Sequence, residues 1–305
     1  MNSKFIRSPF FYVGDKYKLM PQLSELFPKN ISYYLEPFVG GGSSFLNTKA
    51  KYYLLNDIDS YVINLHTTLC SYKSNFKDFI SKIFSIIEKY NFSCSYKGIT
   101  CPLEIKKEYV KTYYSHFNKE SYIRLKESFN ENKTDYLKLY LLIIYGFNHM
   151  LRFNKKGDFN LPVGNVDFNK NVYNALVSYF CFCKDKQIMF DNLDYQSFVN
   201  SHLHILDKDS FIYLDPPYLI SGSEYNKLWN ENNEKELCDY LDFLDSKSIK
   251  FGITNLIAHK GRSNRIFLEW SKKYHSSIIK SNYISFNDNS VKRNSVEVYV
   301  TNGKG

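Results

Sequence analysis

Short apolar runs gather toward the two ends of the chain. Residues 33–36 (YYLE) and 52–57 (YYLLND) come early; 211–215 (FIYLD), 249–254 (IKFGIT) and 296–300 (VEVYV) come late. Each has the length and β-rich composition of a strand. Between them lie amphipathic stretches with helical spacing, such as 234–244 (EKELCDYLDFL). Strands alternating with helices predict an α/β sheet. The middle, from about residue 68 to 180, departs from this alternation, with many Lys, Tyr and Asn and few strand-like runs. Residues 138–145 (KLYLLIIY) predict a buried helix, and 147–164, punctuated by Gly157, Pro162 and Gly164, a hairpin or extended loop. The expected organisation is an α/β domain from 1–67 and 186–305, interrupted by a mostly helical insert at 68–185. No internal repeat or low-complexity tract appears.

Composition adds a partner class. The 305 residues are 44% hydrophobic, enough for a sizeable core, and 18% aromatic, with a net charge of +9. A basic, aromatic-rich surface suits a polyanion with stackable bases, although a Lys-, Asn- and Tyr-heavy composition also arises without any such role. The six cysteines form no CxxC pair and the histidines are scattered, which predicts a reduced protein without structural metal. Cys181 and Cys183, two apart, suit one face of a strand. With no signal-like N-terminus and no run approaching 18 apolar residues, a cytoplasmic protein without membrane association is expected.

Three motifs carry chemistry. In 35–43 (LEPFVGGGS) a strand runs into Gly40, Gly41 and Gly42 and then a short expected helix at 44–47. Glycines permit positive φ and close approach of a ligand, and open α/β sheets bind ligands at such strand ends; a turn with no ligand reads equally well. Asn56-Asp57-Ile58-Asp59 follows at another strand end, where an acid holds ribose hydroxyls or caps a helix. Together the glycines and Asp57 favour a nucleoside-bearing cofactor. The third motif is Asp215-Pro216-Pro217-Tyr218. The prolines fix extended geometry and donate nothing, so the Asp215 carboxylate and the Pro216 carbonyl become two rigid acceptors. Two acceptors match the two hydrogens of an exocyclic amino group, and Tyr218 offers a face for a planar base.

EPFVGGGS, the Asn56-Asp57 pair and DPPY, in that order, resemble the D12 class of DNA adenine-N6 methyltransferases, the Dam-like group that uses S-adenosylmethionine. Tyr12-Val13-Gly14-Asp15-Lys16 is similar to the family's aromatic-x-Gly-Gly-Lys motif, with Asp15 in place of the second glycine. Within the family the chain resembles the Dam enzymes of T-even phages, through 145–152 (YGFNHMLR), 225–229 (YNKLW) and 269–274 (EWSKKY). The resemblance implies a Rossmann-like methyltransferase sheet with an inserted, mostly helical DNA-recognition domain carrying a β-hairpin. It implies that Tyr12 and Lys16 contact the cofactor near the catalytic pocket. Glu36, Phe38 and the Gly40, Gly41, Gly42 turn would cradle its methionine end. Asp57 would hold the ribose, with Ile58 beside the adenine. Asn192-Leu193 stands where relatives carry Asp-Phe, a departure at the adenine contact.

The implied reaction needs no metal and no enzyme nucleophile. Asp215 and the Pro216 carbonyl would hold the N6 hydrogens of an adenine flipped out of duplex DNA, and Tyr218 would stack on it. Phe147 would intrude into the vacated stack. Asn148, Met150 and Arg152 match the family's readout positions on the hairpin 147–166, with a phosphate clamp open for Arg152 and core packing for Met150. Lys155, Lys156, Lys292 and Arg293 are candidate phosphate contacts or solvated charges. Asn165-Val166 after Pro162-Val163-Gly164, and Phe11 in place of a lysine of cellular relatives, are departures that bear on the outer base pairs; GATC is the expected target. A monomer or weak dimer on nucleoid DNA, with a cognate restriction endonuclease as a compatible partner, completes the expectation. Competing readings are a DNA-binding module without catalysis and an RNA adenine methyltransferase. Cytosine-N4 enzymes favour Ser before Pro-Pro-Tyr, and RNA and protein-glutamine enzymes favour Asn.

Overall fold

A computed structural model of the chain describes residues 5–221, 229–280 and 295–303. The chain forms two compact units. Met1–Asp15, Gly40–Leu46 and Ser60–Asp185 make the first; Lys16–Val39, Asn47–Asp59 and Lys186–Gly305 make the second. The expected insert at 68–185 lies wholly inside the first unit, which also takes in three earlier segments of the chain.

The second unit is built on a sheet. Among the described residues its strands are β1 (Ile31–Glu36), β2 (Ala50–Asn56), β3 (Gln187–Asp191), β4 (Phe211–Leu214), β5 (Lys250–His259), β6 (Arg262–Ser263), β7 (His275–Ile279) and β8 (Val296–Thr301). The order is β3-β2-β1-β4-β5-β8-β7, with β6 paired to β5. The first five strands of that order are parallel, and β8 runs antiparallel to both β5 and β7. Strand order reverses between β1 and β4, the kind of position where open α/β sheets leave a crevice. β4 is buried at all four residues, which is why FIYL reads as a continuous apolar run rather than an alternating one.

The two faces of the sheet differ in chemistry. Leu35, Leu54, Ile212, Leu214, Phe251, Ile253, Val298 and Val300 face one way, onto Leu237, Leu241 and Leu244 of the Glu231–Ser246 helix and Phe267 and Trp270 of the Arg265–Ser271 helix. The alternate positions Tyr34, Tyr53, Phe211, Tyr213 and Tyr299 are equally buried, and Phe27 packs at a tilt against three of their rings. Gly252 makes this tyrosine face possible: a Cβ there would lie 2.2 Å from the Tyr299 hydroxyl oxygen.

The first unit is helical, and its centre is the Tyr136–Tyr145 helix, in which every side chain from Leu139 onward is buried. A helix apolar on all sides must be surrounded, and the helices Ser60–Ser71, Phe76–Lys89 and Lys119–Glu131 pack on it. Asp135 caps its start by accepting from the Lys138 amide, and Gly146 leaves it in extended geometry. Nearly all of the chain's net positive charge falls in this unit.

Two local expectations need correction. Cys181 and Cys183 lie on the Lys170–Cys183 helix, not a strand; Val172, Leu176, Tyr179 and Cys183 recur there at helical spacing, so Cys183 is buried while Cys181 is exposed. The expected helix after the glycines is a single tight turn, Phe45–Asn47. In addition, the strand expected at 249–254 runs on to His259.

Overpacking of the tyrosine face gives a direct test. Gly252→Ala should lower stability by about 1–3 kcal/mol, because the Tyr299 ring must move from its seat. An unchanged denaturant midpoint would contradict the packing described.

Candidate active site

In the second unit, parallel pairing delivers β1, β2 and β4 to one edge of the sheet. β1 ends on Glu36, which is 2% exposed and accepts from the Tyr34 hydroxyl at 3.2 Å. β2 ends on Asn56, fully buried, whose amide fastens three strand ends together. Its Nδ2 donates to the carbonyls of Pro37 (3.0 Å) and Leu193 (2.9 Å), and its Oδ1 accepts from the Leu193 amide (2.9 Å). The Val39 amide donates to the Asn56 carbonyl at 2.8 Å. Asp57 follows, with Oδ1 accepting from the Asp59 amide at 2.9 Å, which fixes the turn after β2. Ile58 is 70% exposed and Leu193 40%, two apolar side chains left at the surface beside these polar ends. Asn192 turns its Nδ2 onto the carbonyls of Asp57 (2.7 Å) and Ile58 (3.0 Å), bracing the loop after β2.

Phe38 packs against Tyr195 and Trp229, with ring centroids 5.4 and 6.1 Å away. Trp229 is fixed in turn by Glu234, whose carboxylate accepts from the Trp229 indole (2.6 Å), Asn255 (2.7 Å) and Asn264 (2.7 Å). Burial raises the pKa of Glu234, and these three donors oppose the rise.

Beyond β4, Asp215 is the hub of a buried cluster. Lys16 Nζ lies 2.7 Å from Asp215 Oδ2, and the Thr254 hydroxyl donates to Oδ1 at 3.0 Å. Thr254 stands beside Asp215 because β4 and β5 are in register at Leu214 and Ile253. The Tyr218 ring is 8% exposed and packs on Ile220 and Leu256. Its hydroxyl lies 3.0 Å from Asp215 Oδ1 and 2.7 Å from Glu297 Oε1, while Lys16 Nζ sits 4.9 Å from its ring centroid. Two carboxylates, one ammonium and one phenol therefore share a site from which water is largely excluded. Removing the ammonium would leave two carboxylates facing each other, a loss of about 3–5 kcal/mol for a buried pair.

In the first unit, Gly40, Gly41 and Gly42 form a turn that side chains would block. Gly40 and Gly42 have φ of +46° and +78°; a Cβ on Gly41 would lie 2.7 Å from Tyr12 Cβ, and one on Gly42 2.3 Å from the Phe45 ring. The fully buried His66 braces the turn, with Nε2 2.9 Å from the Gly40 carbonyl and Nδ1 3.2 Å from the Tyr179 hydroxyl. Burial lowers its pKa to about 4, so the ring is neutral at pH 7. The departure at Asp15 is conformationally cheap: Gly14 takes the positive φ of that turn, +84°, and Asp15 does not.

The segment after the Tyr136–Tyr145 helix has the outline of a hairpin. Bridges join Gly146 to Val163 and Phe153 to Phe159, and the Phe147 amide donates to the Pro162 carbonyl at 2.9 Å. Phe147 is 52% exposed at its base, Asn148 is exposed with φ +53°, and Met150 is half-buried. Arg152 is exposed, but its guanidinium is aimed by Asn160: Nε donates to the side-chain oxygen (3.0 Å) and Nη2 to the carbonyl (2.7 Å). Lys155 and Lys156 stand exposed at the tip. Asn165 is engaged at both ends, accepting from the amides of Tyr114 and Ser115 and donating to the Lys111 carbonyl. Residues 225–228 of the YNKLW motif, and Lys292 and Arg293, lie outside the described residues.

The model of the D12 class N6 adenine-specific DNA methyltransferases matches residues 12–285. The chain belongs to that family. Among curated relatives, the type II methyltransferase M.FokI of Planomicrobium okeanokoites is 32% identical over 98% of this chain and 43% of M.FokI. The modification methylase StsI of Streptococcus sanguinis is 29% identical, again over 98% of this chain and 43% of StsI. A DNA adenine methylase of Haemophilus influenzae is 28% identical over 82% of this chain and 78% of its own length. The chain spans less than half the length of the first two. Among the described residues, no group of His, Cys, Asp and Glu could hold a metal ion, and no helix is long and apolar enough to cross a membrane.

Several participants escaped sequence reading. Glu297 carried a signal: a carboxylate inside the apolar strand VEVYV needs a buried partner. Thr254 and His66 gave none, because their roles depend on neighbours 39 and 26 residues away.

His66 makes a pH prediction. Its folded pKa lies below the ordinary 6.5, so the unfolded chain binds more protons between pH 6.5 and about 4. Stability from keeping this ring neutral is present above pH 6.5 and lost on acidification through that window, by up to about 3 kcal/mol. The unfolding free energy of His66→Gln should fall less steeply with acid over the same range; parallel curves would contradict the buried neutral ring.

Proposed function

We propose that this chain transfers a methyl group from S-adenosylmethionine to the N6 amino group of an adenine flipped out of duplex DNA. The observation that carries the reading is Asp215, fixed by Lys16 and Thr254 at the end of β4, in a chain of the D12 class. The N6 lone pair is delocalised into the ring, so the nitrogen is a weak nucleophile. Asp215 and the Pro216 carbonyl accept hydrogen bonds from the two amino hydrogens, which localises that pair. The interaction strengthens as positive charge grows on nitrogen, so it lowers the barrier more than it stabilises the ground state. Held by Lys16 and Thr254, the carboxylate needs no reorganisation as that charge appears. Tyr218, with its hydroxyl anchored, is the surface beside the base.

The second unit's strand ends suit the cofactor. Asp57 supplies a carboxylate for ribose hydroxyls, and exposed Ile58 and Leu193 supply apolar faces for an adenine. Asn192 shapes the loop that carries Ile58, and Glu36 and Phe38 are the proposed seat of the methionine end. Tyr12 and the Gly40, Gly41, Gly42 turn are proposed to contribute as well. When bound, S-adenosylmethionine supplies an electrophilic sulfonium methyl; the protein supplies alignment, worth roughly 7–11 kcal/mol of barrier in well-oriented reactions.

Target recognition is assigned to the first unit, on its net positive charge and its hairpin. Phe147 would fill the space left by the flipped base. Arg152 is proposed to read guanine, Asn148 adenine and Met150 a thymine methyl, with Lys155 and Lys156 on phosphates. Asn165, engaged within the protein, is no candidate for base contact. GATC is the first duplex to test. A cognate restriction endonuclease remains compatible with this reading, as does a monomer on DNA.

The test uses this chain, labelled S-adenosylmethionine and duplexes with and without GATC. Label should enter adenine N6, and Asp215→Ala should slow transfer on the order of 10²–10³-fold. Asp57→Ala should raise KM for the cofactor roughly 10–100-fold while leaving kcat nearly unchanged, as loss of a hydrogen bond to a charged group predicts. If no adenine-containing duplex is labelled while wild type and Asp215→Ala bind DNA equally, the chain is a binding module. Preferential labelling of RNA would favour the RNA methyltransferase reading instead.

A further inference from the structure

Arg152 is exposed on the hairpin, yet one side of its guanidinium is already engaged. Arg152 and Asn160 stand directly opposite each other. The bridge between Phe153 and Phe159 sets the register, and the Asn160 amide donates to the Arg152 carbonyl at 3.0 Å. Strand alternation turns Phe159 inward, where it is 1% exposed, and leaves Asn160 and Arg152 on the outer face. Across that face Arg152 Nε donates to Asn160 Oδ1 at 3.0 Å, and Nη2 donates to the Asn160 carbonyl at 2.7 Å. A guanidinium has two edges that offer a pair of parallel N–H bonds: Nε with Nη2, and Nη1 with Nη2. Asn160 fills the first. The second, at the end of the side chain, is the edge that Asn160 does not use.

Asn160 can aim an arginine only if its own backbone is fixed. Asn130, from the helix Lys119–Glu131, grips Phe159 at both backbone groups. Its Oδ1 accepts from the Phe159 amide (2.8 Å), and its Nδ2 donates to the Phe159 carbonyl (3.1 Å). One residue earlier, Asp158 pairs with Lys133 at 2.8 Å. At the tip, Asn154 Oδ1 accepts from the Lys156 and Asp158 amides at 2.8 and 3.0 Å. The limb that carries Asn160 is thus tied to a helix, and Arg152 is tied to Asn160.

We propose that Asn160 is a specificity-determining positioning residue: by holding the Nε–Nη2 edge it fixes Arg152 end-on, so that Nη1 and Nη2 address O6 and N7 of one guanine. This rests on the target-recognition reading above. An arginine that swings serves a phosphate as well as a base, because phosphate contacts position the protein without reading sequence. A guanidinium locked in one orientation gains no charge but gains discrimination. Against a wrong base its aimed donors lose water without finding acceptors. In this assignment Asn160 touches no base and acts through Arg152.

The test measures Kd for the full chain on the duplex motif that it selects from a random-sequence pool, so it does not depend on turnover. Each guanine of that motif is replaced in turn by 7-deazaguanine, which keeps base pairing but lacks the N7 acceptor. For the wild type, one replacement should weaken binding roughly 10–100-fold, the discrimination of a bidentate Arg–guanine pair. In Arg152→Ala that penalty should vanish. Asn160→Ala, which deletes one of the two bonds to the guanidinium, should cut the penalty at the same guanine roughly fivefold or more, because the released arginine can turn to solvent or phosphate. Asn160→Asp, which keeps the acceptor, should retain the wild-type penalty. An undiminished penalty in folded Asn160→Ala would overturn the assignment, as would a selected motif without guanine. Uniformly weaker binding by Arg152→Ala with every penalty intact is the behaviour of a phosphate clamp and overturns it too. If Asn160→Ala does not fold, the other two variants decide: loss of the penalty in Asn160→Asp, or its persistence in Arg152→Ala, overturns the assignment. Failure of the methyl-transfer reading would show separately, as unlabelled adenine in the selected duplex, and leaves the Kd comparison standing.

Discussion

Parallel pairing of β1 with both β2 and β4 is the constraint on which the second unit depends. Parallel strands deliver the chain to the same edge of a sheet, so polar residues just past each strand meet there without any local sequence relation. Glu36, Asp57 and Asp215 come from three separate stretches of chain and reach that edge together. Asn56 then converts adjacency into fixed geometry, because one buried amide satisfies backbone groups from the ends of β1 and β3 while sitting at the end of β2. The two buried faces of the sheet, one aliphatic and one of tyrosines, hold the strand ends against movement.

Charge is handled differently in the two units. The second carries little net charge but concentrates ionised groups in one buried cluster around Asp215, where hydrogen bonds and an ion pair offset the loss of water. The first spreads its excess of lysines along its surface: Lys77, Lys107, Lys111, Lys119, Lys155 and Lys156 are exposed, while Lys82, Lys133 and Lys138 are paired with Asp78, Asp158 and Asp135. The contrast fits a division between chemistry, which needs few charges in fixed positions, and association, which needs many in tolerant ones.

Much of this was legible in the sequence. The five expected strands exist, because their runs were apolar and ended in recognisable polar or proline-containing motifs. β3 and β7 were missed: QIMFD and HSSII are short edge strands with much of their surface exposed, and such strands have weak patterns. The misreading of Cys181 and Cys183 came from judging two residues without the helical spacing around them. Among candidate site residues, DPPY and the glycine turn announced themselves because their backbone demands are local. Lys16, expected near the cofactor, is paired with Asp215, a partnership of residues some 200 positions apart that no local pattern carries. Tyr218 shows the same limit: the motif indicated an aromatic face, while the anchoring of its hydroxyl by Glu297 depends on how β8 lies against β5.

In the proposed function, Asp215, held at the end of β4, carries adenine-N6 methyl transfer on DNA. Methylation-sensitive long-read sequencing of DNA from cells expressing the chain, beside cells expressing Asp215→Ala at equal level, tests it most directly. N6-methyladenine at one short motif in the first sample and none above background in the second is the predicted result. Unmodified adenine in both samples despite abundant folded protein, or methylation at cytosine N4 instead, would contradict it.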